Sequence, residues 1–225
     1  MLSRVANAIY WMCRQIERAD NIARFVDVNI NLNLDLPSDI ESQWQPLVNT
    51  TGDDEWFEKH YGDATEETVI RFLTIDEKYP NSIISCVRAA RENARTTRES
   101  ISSEMWEHLN SLYLFTNDYA KQPQTLESAF SFFRRIKMSC HLFYGLMDAT
   151  LSHTEPWHFA RLGQYTERAD KTSRILDIKY YILLPDLEDV GAPFDNIQWS
   201  ALLKSASALE MFRKEKRRIT SELVA

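Results

Sequence analysis

The chain has 225 residues, enough to enclose a sizeable hydrophobic core in one large or two small domains. Its formal net charge of −7 argues against general nucleic-acid binding, because phosphate contacts require an excess of Lys and Arg. Cys13, Cys86 and Cys140 form no C-x-x-C pair, which indicates neither a zinc site nor a disulfide framework. The sequence has no signal-peptide pattern and none of the ~18-residue apolar stretches that membrane spans need, so we expect a cytoplasmic protein.

The first predicted element is a long amphipathic helix over about residues 3–32. Its apolar residues recur at spacings of three and four, which places one face inward. This predicted inner face consists of Ile9, Met12, Ile16, Ala19, Ala23, Val26 and Ile30. A second set follows the same spacing one position further on: Cys13, Glu17, Asp20, Arg24 and Asp27. We expect these charges to border the buried face.

The middle of the chain predicts further helices. Residues 39–80 are typical of short helices joined by turns, with Gly52 and Gly62 as breakers. A longer helix is expected after Pro80, with a possible kink near residues 102–103, and another over residues 125–151. No segment shows convincing strand-like alternation, so the sequence predicts an all-α, multi-helix bundle.

The last long helix is predicted to begin at Thr154-Glu155-Pro156 and to end near Tyr181. A hydroxyl cap, an acid and a proline all suit a first helical turn. The residues predicted for its inner face are Phe159, Leu162, Ala169, Ser173 and Leu176.

This last helix repeats the charges of the first. The repeated residues are Glu17, Arg18, Ala19, Asp20, Arg24 and Asp27, which recur as Glu167, Arg168, Ala169, Asp170, Arg174 and Asp177. Gln43-Trp44 recurs more weakly as Gln198-Trp199. We therefore predict one domain over residues 1–225 built by internal duplication, with unit one at about 1–150 and a truncated unit two at about 151–225. Truncation is expected to expose apolar surface, which makes a homodimer plausible.

The economical arrangement packs the two motif helices side by side, so that each acid reaches an arginine on the other helix. The positions concerned are Glu17, Arg18, Asp20, Arg24, Glu167, Arg168, Asp170 and Arg174. One interpretation is a structural ionic network. The other is a functional site in which arginine binds an anionic group and a carboxylate handles a proton or cation.

A di-metal carboxylate centre is disfavoured here. Such centres use Glu-x-x-His from two helices, whereas the fourth position of this motif is Asp20 or Asp170 with an arginine nearby. We expect no metal and no cofactor. Gly163, which stands where the first motif helix has Cys13, is consistent with tight helix packing.

A second basic feature is a stripe on the helix after Pro80. It consists of Arg88, Arg91, Arg95 and Arg98, with Glu92 and Glu99 interspersed. The stripe is either a solvated, salt-bridged face or an anion-binding or docking surface.

The chain resembles the alpha-E domain family, a bacterial all-helical family with a Glu-Arg motif. The matching segments are Tyr10-Trp11-Met12, Glu17-Arg18-Ala19-Asp20, Arg91-Glu92-Asn93-Ala94-Arg95, Trp106-Glu107 and Glu167-Arg168-Ala169-Asp170. The family has no established activity, so the resemblance transfers motif positions and no catalytic residues. It implies partners: an ATP-grasp ligase and a transglutaminase-like peptidase, which are typically encoded beside family members and suggest peptide synthesis or modification.

Two main functional hypotheses follow. The first is a non-catalytic helical binding or adaptor module, favoured because no activated nucleophile, metal set or phosphate loop is recognisable. The second is an enzyme in which Glu17 and Glu167 act as acid–base groups and the motif arginines orient an anionic, peptide-like substrate. A purely structural oligomerisation scaffold is a third option.

Overall fold

A computed structural model describes residues 1–34, 44–122, 125–181, 193–216 and 219–224. The helices have these bounds: α1 Ser3–Leu34, α2 Trp44–Asn49, α3 Asp54–Tyr61, α4 Glu66–Thr74, α5 Ile83–Thr96, α6 Ser103–Ala120, α7 Leu126–Thr150, α8 Glu155–Tyr181, α9 Pro193–Ser205, α10 Leu209–Glu215 and α11 Ser221–Val224. A 3-10 helix, Arg98–Ser100, lies between α5 and α6. None of the described residues forms a β-strand, and the all-α prediction is confirmed.

Helix α1 begins and ends within two residues of its predicted bounds. Every residue of its predicted inner face is buried, from Ile9 to Ile30. Each fully buried Ile, Val or Met side chain contributes roughly 1.5–3 kcal/mol by leaving water, so this face is a major source of stability. Cys13, Glu17 and Asp20 are buried as well, in agreement with the prediction that they border the core.

Two compact units can be distinguished. The first comprises Met1–Ala23 and Arg71–Ala169, and the second comprises Arg24–Ile70 and Asp170–Ala225. In the first unit α5 packs on α6, and α6 packs on α7. In the second unit α2 packs on α3, and α9 packs on α10 and α11. The proposed duplication and the single domain with a repeat boundary near residue 150 stay predictions.

The predicted breaks are found where the structure describes them. Gly52 and Gly62 have φ values of +73° and +71°, a region that favours glycine, and they end short helical segments. The Ser82 hydroxyl caps α5 and the Ser102 hydroxyl caps α6, so the expected kink near residue 102 is a true helix boundary. None of the described helices combines the length and apolar character that crossing a membrane requires.

The bounds of α8 agree with the prediction, but the choice of its inner face is wrong. Phe159 and Leu162 are exposed, as are Ala169 and Ser173, and Leu176 is half-buried. The buried residues of this helix in the first unit are instead Ala160, Gly163, Gln164 and Glu167. The physical reason is the closeness of α1, which requires a glycine at position 163 against the Tyr10 backbone and supplies the arginines that bind Glu167.

Candidate functional site

Helices α1 and α8 lie side by side and run in the same direction in the first unit. The Met1 ammonium contacts the Glu155 carboxylate at 2.5 Å near one end of this contact. Further along, Gly163 faces the backbone of Tyr10 so closely that an added Cβ atom would lie 2.2 Å from the Tyr10 carbonyl oxygen. Only glycine permits this approach, and the approach brings the two Glu-Arg motifs together.

Glu167 is the more heavily paired of the two motif glutamates. Arg18 donates to it through two bonds, from Nε to Oε1 at 2.6 Å and from Nη2 to Oε2 at 2.9 Å. Arg14 donates from Nε to Oε2 at 2.8 Å. The Nη1 group of Arg18 also donates to the Asn81 side-chain oxygen at 2.5 Å, which connects this cluster to the residue before the cap of α5. Two guanidinium groups therefore hold one buried carboxylate.

Glu17 makes the reciprocal pair with Arg168. Arg168 donates from Nε to Oε1 at 2.7 Å and from Nη2 to Oε2 at 3.3 Å. The hydrogen bond to Glu17 raises the pKa of the Arg168 guanidinium, although burial opposes that shift. The Glu17 residue is 1 % exposed and Glu167 is 0 % exposed, whereas the Arg168 side chain is 51 % exposed. For the two glutamates, the prediction that each motif acid reaches an arginine on the other helix is confirmed.

The remaining predicted positions take other places. Asp20 is buried in the first unit, and its charge acts on Arg168. In the second unit Arg174 donates from Nε to Asp170 at 3.1 Å, four residues earlier on the same helix. Burial by itself raises the pKa of the Asp170 carboxyl, but Lys171 and Arg174 outweigh it and the net pKa is lowered.

Arg24 is half-buried and belongs to the second unit. Arg174 also donates from Nη1 to the Thr51 carbonyl at 3.3 Å, so it holds the turn that contains Gly52. Of the eight predicted positions, the Glu–Arg exchange therefore joins Glu17, Arg18, Glu167 and Arg168.

The comparison of the two motif helices did not identify Arg14 as a site residue. It lies four residues before Arg18, on the same helix face, and this spacing was the available signal. The corresponding residue of the second motif is Gln164, so a search for repeated charges passes over it. The Gln164 side-chain oxygen accepts a bond from Arg161 at 2.6 Å instead.

A buried set of neutral groups lies beneath Glu17. The Tyr144 hydroxyl donates to the Cys13 carbonyl at 3.2 Å, and the Cys140 thiol donates to the Ile16 carbonyl at 3.6 Å. Burial, and secondly the Glu17 carboxylate, raises the pKa of Tyr144 well above its ordinary value. Burial likewise raises the pKa of the Cys13 thiol. A thiol held in its protonated form is a poor nucleophile, so Cys13 is a packing residue in this state.

The arginine stripe on α5 makes contacts within its own unit. Arg88 pairs with Glu77 at 2.5 Å, and Arg95 pairs with Glu92 at 2.8 Å. Arg91 donates to Asn110 at 2.7 Å and also lies over the Tyr113 ring at 4.6 Å from its centroid. Arg98 lies over the Trp106 ring at 4.9 Å. These contacts favour a salt-bridged and aromatic-packed face over an anion site.

The chemistry open to the paired motif is limited. A general base must reach a substrate proton at hydrogen-bond distance, and both motif carboxylates are buried and bound by guanidinium groups. Within the described residues no group of three His, Cys, Asp or Glu side chains could hold a metal ion. The Glu–Arg pairs instead hold α1 against α8.

Comparison with protein-family models identifies the family of this chain. No curated protein and no solved structure matches the chain. The model of the Alpha-E family, described as a predicted alpha-helical domain with a conserved ER motif, matches residues 1–225. Glu17-Arg18 and Glu167-Arg168 are both such Glu-Arg pairs, and they bond to each other across two helices. The chain therefore belongs to the Alpha-E family.

Proposed function

We propose that this protein is a non-catalytic helical binding or adaptor module whose Glu-Arg motif serves the framework rather than chemistry. One observation carries the proposal: each motif glutamate is fully buried and bound by an arginine from the other helix. Breaking such a pair is costly because a charge is left buried without its partner. Motif residues used in this way hold the two helices in register and leave binding to the outer surface.

The enzymatic alternative has less support. It needs Glu17 or Glu167 to exchange a proton with a substrate, yet neither carboxylate reaches the surface. It also needs arginines that can orient an anion, but Arg14 and Arg18 already bind Glu167. Burial of the acid–base candidates therefore argues for the binding module.

The partners we propose are those that the family resemblance implies. They are an ATP-grasp ligase and a transglutaminase-like peptidase encoded beside the gene in a bacterial genome, acting with this protein in the cytoplasm. The module would present a partner enzyme, or the peptide on which that enzyme acts, in a pathway of peptide synthesis or modification.

Calorimetric titration of the full chain with the co-encoded ATP-grasp ligase tests this proposal. We expect saturable binding, and we expect it to survive Glu210→Gln, a change of an exposed acid on α10. Circular dichroism should confirm that each sample is folded. Folded protein that binds neither the ligase nor the peptidase, in calorimetry and in pull-down, would rule the proposal out.

A further inference from the structure

A basic and apolar stripe runs along the outer side of α7 in the first unit. Arg134, Met138, Leu142 and Gly145 follow one another at spacings of four, four and three, so they share one side of the helix. Met138 and Leu142 are 62 % and 52 % exposed, and Arg134 and Gly145 are exposed as well. We call these four residues, together with the exposed Arg135, the α7 stripe. It extends over about 16 Å of helix, at ~1.5 Å per residue.

The charge of the α7 stripe is positive and unbalanced. Between residues 128 and 147, α7 contains Arg134, Arg135 and Lys137 and no aspartate or glutamate, although the whole chain has a net charge of −7. Within the part of the chain that the structure describes, neither arginine of the stripe forms an ion pair. Arg135 instead lies over the Phe115 ring of α6, 4.2 Å from its centroid. The arginines of the Glu-Arg motif differ, because carboxylates already bind them.

Gly145 is not explained by packing within the described chain. Glycine inside a helix is less favourable than alanine. At Gly163 the reason for glycine is the Tyr10 carbonyl oxygen, which an added Cβ atom would approach to 2.2 Å. At Gly145 an added Cβ atom would have nothing within 4 Å. The missing side chain therefore leaves a gap on the exposed side of α7, and such a gap admits the backbone of another helix, as Gly163 does for α1.

We propose that the α7 stripe binds an acidic amphipathic helix of a partner protein. The backbone of that helix passes over Gly145, its apolar side chains cover Met138 and Leu142, and its carboxylates bond to Arg134 and Arg135. Arginine suits this role because its planar guanidinium can hold a carboxylate through two hydrogen bonds. Methionine suits it because its flexible side chain adapts to the surface it meets. This inference rests on the proposed binding function and identifies the surface that performs it.

Two other occupants fit these observations less well. A bilayer of anionic lipids would attract the arginines and the apolar side chains, but it does not need a helix position without a side chain. A second copy of the chain brings a further net charge of −7. Pairing two α7 stripes about a twofold axis would also place arginines against arginines.

Two synthetic helical peptides test the chemistry of the occupant. Both have leucines at spacings of three and four, and one carries glutamate at the flanking positions where the other carries lysine. With the full chain, the glutamate peptide is expected to bind at least about tenfold tighter in fluorescence anisotropy, and less tightly as salt is raised. Arg134→Gln should weaken its binding about fivefold. The matched control Arg4→Gln, which removes the same charge from an exposed position on α1, should leave it unchanged.

Substitutions at Gly145 separate binding from folding. Gly145→Leu should weaken binding of the glutamate peptide at least about tenfold, and Gly145→Ala about threefold, because the new side chains fill the gap. Neither change should lower the stability of the free protein in urea denaturation, since an added Cβ atom meets nothing and both residues favour a helix more than glycine does. Loss of stability without loss of binding would instead identify a purely structural glycine.

The docking surface would be overturned by binding of neither peptide, by equal binding of both, or by binding that ignores Gly145→Leu. It would also be overturned by self-association in sedimentation that Gly145→Leu abolishes. Binding to phosphatidylcholine–phosphatidylserine vesicles that Arg134→Gln weakens and Gly145→Leu leaves unchanged would assign the stripe to a membrane. The proposed function fails separately. Ligase binding that is unaffected by Gly145→Leu removes the surface but keeps the function, whereas peptide binding without ligase or peptidase binding does the reverse.

Discussion

Glu17 on α1 and Glu167 on α8 hold the same place in the Glu-Arg motif and are equally buried, but their surroundings differ. Glu167 receives two guanidinium groups, from Arg14 and Arg18, and both arginines are largely buried. Glu17 receives one, from Arg168, whose side chain is half-exposed. Glu167 is therefore shared by two buried arginines, whereas the arginine that binds Glu17 is in contact with water. Equivalent motif residues should therefore contribute unequally to stability.

The largest expected effect follows from removing the shared acid. Glu167→Gln leaves Arg14 and Arg18 without their common carboxylate, and we expect it to lower the free energy of unfolding by about 3–5 kcal/mol. Glu17→Gln should cost only about 1 kcal/mol, because Arg168 can turn to water. Urea denaturation of both variants measures the difference, with Glu210→Gln as a surface control. Equal losses would contradict the unequal environments.

Removing an arginine should have the opposite pattern: the loss of stability should be larger for the partner of Glu17 than for one partner of Glu167. Arg168→Met deprives buried Glu17 of its guanidinium partner and is expected to cost about 2–3 kcal/mol. Arg14→Met leaves Glu167 bound by both bonds from Arg18 and should cost about 1 kcal/mol. The same denaturation experiment applies. A larger loss for Arg14→Met than for Arg168→Met would mean that Arg14 is the main partner of Glu167.

The sequence predicted the surroundings of Glu17 better than those of Glu167. The apolar spacing gave the bounds of α1 and its buried face, and the repeated charges gave the bond between Glu17 and Arg168. Arg14 could not be found through repetition, because Gln164 stands at its counterpart. The pairing of Glu167 with two arginines therefore became visible only in three dimensions.

The face of α8 could not be predicted from apolar periodicity. Phe159 and Leu162 follow the spacing of an inner stripe, yet they are exposed. The buried side is fixed by how near α1 approaches, and that distance depends on Gly163 against the Tyr10 backbone. Spacing alone reveals that a helix has an apolar side, but not which neighbour, if any, covers it.

Gly163 gives the next test. The corresponding position on α1 is Cys13, which has a side chain, whereas α8 has none at this position. Gly163→Ala places a methyl group against the Tyr10 carbonyl and should cost about 2 kcal/mol by forcing the helices apart. Gly145→Ala on α7 is the matched control, since nothing lies within 4 Å of its added Cβ atom. That change should stabilise the protein by about 1 kcal/mol through helix propensity. If both changes were stabilising, the close approach would be disproved.

The smallest effect concerns the pH dependence of stability and arises from Cys13 on α1. Burial raises the pKa of the Cys13 thiol in the folded protein, whereas in the unfolded chain it titrates near ~8.5. The unfolded state therefore releases this proton first, so stability is complete below about pH 8 and falls as pH rises above that value. We expect about 1 kcal/mol of loss from Cys13 between pH 8 and 9.5.

Chemical denaturation across this pH range measures the loss, and Cys13→Ala isolates its source. The variant has no thiol to ionise at this position, so its stability should fall less steeply with pH than that of the parent protein. Position 163 carries no titratable group, and Gly163→Ala should therefore keep the parent slope whatever its effect on stability. Identical slopes for the parent and Cys13→Ala would show that the buried thiol does not contribute. The pH dependence would then have to arise elsewhere, with Tyr144, whose pKa burial also raises, as the next residue to change.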